Sequence, residues 1–411
     1  MMLRVGQSTN GVVPFRRFFG VLGYSISCVV VVAALLEFCA FGFLRIRGAL
    51  HGDESQGNAP RGPAYDGQPW AKEYLEEERP RGKPVGQYVP FRIWGLVSRH
   101  GQYINVDSTD LGPVRRTINP VRKECAGKPT TKIWVLGGST VYGMGAPDWG
   151  TLPSYLSAAF NAPDKDCTEV SNLGVPGYVT NQEVILLMEK LKAGLRPDVV
   201  IFFDGWNDSQ LGAFSPGDPT AHMSLERIKL GVENTWRNKL NFLNDLYSVK
   251  LARSVINRFK SSPPVRLSEE ELGRRAKATV ANYEANLKII EALENAYGFK
   301  AHFFWQPCLA YGSKPTGPFE QGLIKMRGEE LARAIRAVYE EAERRSVITG
   351  SFVFLGHEFD QVREPLFVDG ANHLCPLGNE IVARAIVDKF KDPGAKRSRI
   401  LIQQNGTIAL R

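Results

Sequence analysis

A serine that follows two glycines is the first residue in this chain whose setting suggests chemistry. Ser139 ends the run Val-Leu-Gly-Gly-Ser at 135–139. A serine hydroxyl is a weak nucleophile, so it needs a base that takes its proton and donors that stabilise the oxyanion on an attacked carbonyl. His373 is the best candidate base, because glycine and asparagine surround it in Asp-Gly-Ala-Asn-His at 369–373. The other histidines lie in expected peripheral segments (His51, His100, His222), inside an expected strand (His302), or without such neighbours (His357).

The elements that must position these residues are short apolar strands alternating with helical stretches, a pattern typical of a parallel sheet covered on both faces. In such a sheet, ligands bind at the carboxyl ends of the strands. Ser139 follows the first predicted strand, 174–177 the second and Asn207 the third, while 369–373 lies past the fifth. We therefore expect one site at this edge. The predicted strands are 132–136, 169–173, 198–203, 300–305 and 351–355.

The glycine-rich run at 137–145 also invites two phosphate-binding interpretations, and both fail. As a Walker A loop it has Gly138 and Gly143 at the required spacing, but Met144 stands where a lysine must contact phosphate. As a dinucleotide-binding loop it lacks three glycines at the required spacing. The run is better explained as the turn that carries a serine nucleophile.

Four segments together resemble the sequence blocks of the SGNH, or GDSL, hydrolase superfamily. They are 137–140 (Gly-Gly-Ser-Thr), 172–178 (Asn-Leu-Gly-Val-Pro-Gly-Tyr), 205–208 (Gly-Trp-Asn-Asp) and 369–373. The resemblance runs from about residue 132 to 390 and implies a three-layer α/β/α domain with a mostly parallel, flavodoxin-like sheet of five strands.

The resemblance also implies a role for each matching residue. Ser139 would be the nucleophile, His373 its base and Asp369 the acid that orients the imidazole. The oxyanion donors would be the backbone N–H groups of Ser139 and Gly177 and the side-chain amide of Asn207. No metal or organic cofactor is implied.

Two positions depart from the family pattern. Gly138 stands where the first block usually has aspartate, which is not a catalytic position. Three residues separate Asp369 from His373, where the family usually has two. Asp369 must therefore reach through a bulged loop, or else a backbone carbonyl or another acid orients His373.

An almost wholly apolar stretch at 18–44, flanked by arginines on both sides, predicts a transmembrane helix. A cleaved signal peptide is the alternative. The expected protein is single-pass, in a bacterial inner membrane, with an extracytoplasmic catalytic domain. Glu37 is costly in lipid unless it is protonated, near an interface or paired.

The net charge of +8 comes from basic residues that are scattered among acidic ones along the chain. This distribution favours a solvated surface over a nucleic-acid site.

The remaining organisation follows from composition. We expect an N-terminal tail at 1–17, a linker at 45–87, a small extended decoration at 88–131 and a domain at 132–390. Its helical insertion spans 210–298. Ser268 and Glu271 predict a capped helix with Leu272, Ala276, Val280, Tyr283, Leu287 and Ile290 on one face. An Asn-Gly pair predicts a hairpin in the tail at 391–411.

Four cysteines lie in the soluble part, and no spacing among them suggests a zinc site. Cys125 and Cys167 both precede predicted strands, whereas Cys308 and Cys375 both follow strands. Because parallel strands begin at one edge and end at the other, we expect Cys125 to pair with Cys167 and Cys308 with Cys375. Four free thiols are the alternative.

These observations favour a serine esterase that forms an acyl-enzyme and acts on O-acyl groups, such as acetyl, of an envelope or extracellular glycan. A glycan O-acyltransferase with the same residues is the first alternative. A catalytically silent scaffold that binds glycan or an assembly partner is the second. The expected partners are an acylated carbohydrate or other ester, the membrane through 18–44, and polysaccharide-synthesis proteins, with no nucleic acid.

Overall fold

A mostly parallel sheet organises the larger part of the chain. The computed structural model describes residues 15–51, 62–78, 86–162, 167–214, 219–225, 228–229, 232, 246–259 and 266–391. Within these residues, the parallel strands are β5 (Thr131–Gly137), β6 (Thr168–Asn172), β7 (Val199–Asp204), β8 (Lys300–Trp305) and β9 (Val353–Phe354). Their spatial order is β6-β5-β7-β8-β9. This is the flavodoxin-like order 2-1-3-4-5.

The sheet has seven strands in the described residues, so the prediction of five was wrong. The hairpin of β3 (Val106–Thr109) and β4 (Gly112–Arg115) extends it, and β4 pairs antiparallel with β6. The predicted decoration thus covers an edge of β6 that would otherwise be open for pairing. Arg115 fixes this hairpin from inside the fold, since its buried Nε lies 2.7 Å from Asp148 Oδ1. Strands β1 (Gly86–Val89) and β2 (Ile93–Leu96) form a separate two-stranded sheet.

Alternating side chains on the strands build one core on each face of the sheet. Val200 and Phe202 of β7 belong to the first core, and Ile201 and Phe203 to the second. The first core includes helices α5 (Thr180–Lys192), α6 (Trp206–Phe214), α8 (Glu269–Tyr297) and α10 (Glu329–Thr349). The second includes α2 (Ala71–Glu78), α3 (Ser139–Tyr142), α4 (Leu152–Phe160), α9 (Pro318–Arg327) and α11 (Pro376–Lys391).

The capped helix in the insertion is α8. Ser268 Oγ accepts a hydrogen bond of 3.2 Å from the backbone N–H of Glu271, and all six predicted core residues are buried. The Glu271 carboxylate binds Arg274 and Arg275 instead of returning to the cap. The predicted C-terminal hairpin and much of the earlier insertion lie outside the described residues.

The chain divides into two compact units. One comprises Met1–Asn58 and Glu226–Pro263, and the other, with the sheet, comprises Ala59–Leu225 and Pro264–Arg411. The first unit contains α1 (Phe15–His51) and α7 (Tyr247–Phe259). Within α1, Gly23–Arg47 is long and apolar enough to cross a membrane. An N-terminal signal sequence meets the same criteria.

Candidate active site

Ser139 and His373 meet at the carboxyl edge of the sheet. Strand β5 ends at Gly137, and Ser139 opens the short helix α3 directly after the turn. The Ser139 Oγ lies 2.8 Å from His373 Nε2. The two residues are 8% and 5% exposed, so little water surrounds this hydrogen bond. The arrangement allows His373 to take the hydroxyl proton if Nε2 is unprotonated.

Asp369 completes a continuous chain of hydrogen bonds. Its Oδ2 lies 2.7 Å from Nδ1 of His373, and its Oδ1 accepts 2.8 Å from the backbone N–H of Ala371. The carboxylate therefore favours a proton on Nδ1 and leaves Nε2 free to face Ser139. Asp369 reaches His373 across three intervening residues, without a substitute acid.

Asn372 explains how the longer loop closes. Its backbone adopts a left-handed conformation with φ of 68°, which asparagine tolerates better than most residues. Its side chain donates to the Pro307 carbonyl at 2.9 Å and accepts from the backbone N–H of Leu309 at 3.1 Å. These bonds anchor the loop to the segment after β8. The extra residue is thus held as a bulge that points Asp369 and His373 at one another.

The candidate oxyanion donors lie on the other side of Ser139. Asn207 is in the first turn of α6, and its Nδ2 donates to the Tyr178 carbonyl at 2.7 Å. A Cβ at Gly138 would overlap this amide nitrogen, so glycine permits the close approach of the Ser139 turn to Asn207. Gly177 has φ of 80°, a conformation that favours glycine. The structure thus brings the three predicted triad residues together and places Asn207 beside the Ser139 turn, while Gly177 directly precedes Tyr178, whose carbonyl binds Asn207.

The sequence did not reveal the contacts that support the Gly177 turn. Trp94 of β2 lies against Gly177, and its Nε1 donates to the Pro176 carbonyl at 2.9 Å. The Tyr178 hydroxyl donates to the Trp94 carbonyl and accepts from Arg92 Nη1 at 2.8 Å. The β1–β2 hairpin therefore braces the turn. No local pattern in residues 86–96 indicates such a remote contact.

The competing histidines occupy other settings. His357 Nδ1 lies 2.9 Å from Asp360 and its Nε2 lies 3.0 Å from Glu343, so both ring nitrogens engage carboxylates. His302 packs on Phe390 with ring centroids 4.2 Å apart. Neither arrangement offers a base to a serine.

Three buried carboxyl groups lie behind the oxyanion side of the site. Asp208 accepts from the backbone N–H and the hydroxyl of Thr180, at 3.2 and 2.7 Å. Burial, reinforced by Asp204, raises the pKa of Glu183 well above its usual range. Burial, reinforced by Asp208, does the same to the pKa of Asp204. Within the described residues, neither Glu183 oxygen accepts from an N–H group or a hydroxyl, so we interpret Glu183 and Asp204 as a buried pair that holds a proton more firmly than ordinary carboxyl groups do.

This pair predicts an unusual dependence of stability on pH. Between the ordinary carboxyl pKa and the raised one, the folded protein holds more protons than the unfolded chain, so the free energy of unfolding falls as pH rises. Glu183→Gln removes one such group. We expect the variant to gain stability relative to wild type as pH rises above 4.5, by at most about 1.4 kcal/mol per pH unit.

Denaturant unfolding in detergent at a series of pH values measures this difference. The exposed Glu340 of α10 offers a control, and Glu340→Gln should show no comparable trend. A difference between Glu183→Gln and wild type that does not change with pH would contradict the proton-retaining pair.

Of the two disulfides predicted from the sheet edges, the structure contains one. Cys125 and Cys167 form a disulfide. Cys308 and Cys375 are separate buried thiols, so the structure contradicts that expected pair. Cys308 belongs to the first core and Cys375 to the second, which places the two side chains on opposite faces of the sheet. Reasoning about edges could not distinguish the faces.

Comparison with known proteins gives matches among solved structures. No protein-family model and no curated protein matches the chain. A lipolytic G-D-S-L family protein from Veillonella parvula is 11% identical, with a TM-score of 0.35, over 64% of this chain and 99% of that one. An acetylxylan esterase from Geobacillus stearothermophilus is 15% identical, with a TM-score of 0.31, over 66% and 97%. A lipase/acylhydrolase from Enterococcus faecalis is 13% identical, with a TM-score of 0.32, over 64% and 96%. At such distances, the assignment of a reaction rests on the geometry of this chain's own site.

Proposed function

We propose that this protein is a serine esterase that acts through an acyl-enzyme. The observation that carries the proposal is the unbroken chain of hydrogen bonds from Asp369 through His373 to Ser139. Asn207 lies across the Ser139 turn from this chain. Such a set can deprotonate a hydroxyl, stabilise an oxyanion and protonate a leaving group.

Each step assigns a proton to a named atom. Ser139 Oγ attacks the ester carbonyl carbon while its proton passes to His373 Nε2. The oxyanion accepts from the backbone N–H groups of Ser139 and Gly177 and from Asn207 Nδ2. Collapse breaks the bond to the alkoxy group, which leaves with the proton from His373. A water or hydroxyl acceptor then gives its proton to His373 and attacks the carbonyl carbon of the acyl-enzyme. The bond from this carbon to Ser139 Oγ breaks, His373 returns the proton to Oγ, and the acid or the new ester leaves.

Asn207 is suited to donate in two directions. A side-chain amide carries two N–H donors. One of them binds the Tyr178 carbonyl at 2.7 Å, and this bond fixes the plane of the amide. The second donor remains for the oxyanion, so the amide needs no reorganisation when charge develops.

Removal of this donor should affect the transition state rather than substrate binding. We expect Asn207→Ala to lower kcat for a model ester by about 10²–10³-fold, with little change in KM. Steady-state kinetics on wild type and variant measure both quantities. Asn119→Ala is a suitable control, because Asn119 binds Ser157 of α4 and Val170 of β6 and should affect stability rather than kcat. A variant at Asn207 with unchanged kcat would exclude its amide from the oxyanion hole.

We further propose that the substrate is an O-acyl group, such as acetyl, on an envelope or extracellular glycan. The apolar helix would hold the enzyme at a membrane surface. The Cys125–Cys167 disulfide supports an extracytoplasmic domain, because such bonds persist in oxidising compartments. Polysaccharide-synthesis proteins are the partners that fit this setting.

The acceptor decides between esterase and acyltransferase. The same residues serve water and a sugar hydroxyl, so the geometry of the triad favours neither. Incubation with an acyl donor labelled in its acyl group, in the presence of glycan, separates the two outcomes. Labelled free acid identifies a hydrolase, and labelled glycan identifies a transferase. If no labelled product forms and Ser139→Ala leaves the protein's cellular function unchanged, the catalytically silent scaffold is favoured.

A further inference from the structure

The short helix α7 raises the question of what covers its exposed apolar residues. We propose that α7 enters one leaflet of the lipid bilayer beside α1, so that the protein contacts the membrane through two helices. The proposal concerns the unit that contains α1 and α7 and does not depend on the reaction at Ser139.

Glu37 provides the first argument. An acidic residue inside a membrane span is costly unless it has a partner. Here the carboxylate accepts from the backbone N–H groups of Tyr247 and Ser248, at 2.7 and 3.0 Å, and from the Ser248 hydroxyl. These N–H groups belong to the first turn of α7, where a helix leaves its donors unpaired. Glu37 and the start of α7 therefore satisfy one another where water is scarce.

The surface of α1 changes at Glu37. From residue 23 to 36, every side chain is exposed, whereas beyond it one face is covered. Ala40 is only 4% exposed, and Phe41 packs against the Tyr247 ring with centroids 4.9 Å apart. A small residue that lets two helices approach closely is typical of helix pairs in membranes. The contact is thus a packed helical interface and not a single hydrogen bond.

The contacts also define the direction and depth of α7. Glu37 meets its first turn, and Arg47 Nη1 donates to Ser254 Oγ at 3.1 Å. The two helices therefore run in the same direction. Ser254 lies six positions after Ser248, a rise of about 9 Å along a helix. The first turn of α7 therefore lies deeper along α1 than the contact between Ser254 and Arg47.

The exposed side of α7 identifies lipid as the occupant. Val255 and Ile256 are about half exposed, and the exposed basic residues Lys250 and Arg253 lie on the same helix. Exposed apolar and basic residues on one helix suit an anionic lipid leaflet. The acyl chains would cover the apolar side chains, and the headgroups would attract the basic ones. Since α7 packs on the only membrane-span candidate found in the described residues, the same leaflet is within reach.

Site-directed fluorescence in lipid nanodiscs tests the proposal on the full chain. A background with Cys28→Ser and Cys39→Ser removes the two exposed thiols, while the buried Cys308 and Cys375 remain. Val255→Cys then carries an environment-sensitive fluorophore. We expect a blue-shifted emission and several-fold stronger quenching by lipids with a nitroxide on the acyl chain than at a water-exposed position.

Ile289→Cys is the matched control, because Ile289 on α8 and Val255 are both 47% exposed in the structure. Equal quenching at the two positions would overturn the proposal. A second variant tests Glu37, since Glu37→Leu leaves the first turn of α7 without its acceptor. Quenching at residue 255 should then fall towards the control value, whereas unchanged quenching would show that Glu37 does not hold α7 in the leaflet.

Discussion

Replacement of Ser139 by alanine is expected to lower kcat for ester hydrolysis by about a million-fold, the scale associated with loss of a serine nucleophile. The Ser139 Oγ is the atom that bonds to the acyl group, so no neighbouring group can replace it. The structure records His373 as the partner of this hydroxyl. Loss of the hydroxyl removes this hydrogen bond, at a cost of about 1 kcal/mol, which is too small to unfold a typical domain.

Kinetics on an activated ester with purified full-length protein measure the loss. Ser108→Ala is the control, since Ser108 lies on the exposed hairpin strand β3 and binds Ser98. It should retain wild-type kcat. If Ser139→Ala kept a substantial fraction of the activity, the nucleophile would have to be sought elsewhere.

The second large effect is expected for Asp369→Asn, with a loss of about 10⁴-fold in kcat. The Asp369 carboxylate accepts a hydrogen bond from Nδ1 of His373 at 2.7 Å. An amide can present an N–H to the same nitrogen, which places the imidazole proton on Nε2. His373 then faces Ser139 as a donor and cannot take its proton. The variant keeps the shape of the site and changes the tautomer.

Asp360→Asn provides a control of the same chemical type, because the Asp360 carboxylate also binds Nδ1 of a histidine, that of His357, at 2.9 Å. It should leave kcat unchanged. If Asp369→Asn kept nearly full activity, the hydrogen bond from His373 would have no catalytic role, and a backbone carbonyl or another acid would have to orient the imidazole.

The positions of the candidate triad were accessible from sequence because strands impose a simple geometry. Ser139 and Asn207 directly follow apolar runs, and parallel strands bring their carboxyl ends to one edge. The same logic indicated the approximate bounds of the five parallel strands. For Asp369, spacing alone left two alternatives, and the left-handed Asn372 that closes the loop became visible only in the structure.

The remaining features depend on contacts that a linear pattern does not encode. Strands β3 and β4 are four residues each, and their sequence does not show which sheet edge they join. Trp94 supports the Gly177 turn, which lies more than 80 positions away along the chain. Glu183 lies on an ordinary amphipathic helix, and only burial next to Asp204 distinguishes it from a solvated glutamate. Long-range packing decides each of these cases.

Covalent labelling of the folded protein by a fluorophosphonate probe tests the central claim most directly. The probe reacts with a serine only if a base activates the hydroxyl and an oxyanion site accepts the phosphoryl oxygen. We predict one probe per chain, located by peptide mass spectrometry on Ser139, with no labelling of Ser139→Ala or of heat-unfolded wild type. Absence of labelling in the folded wild-type protein, or attachment to another serine, would contradict the assignment of Ser139 as the nucleophile.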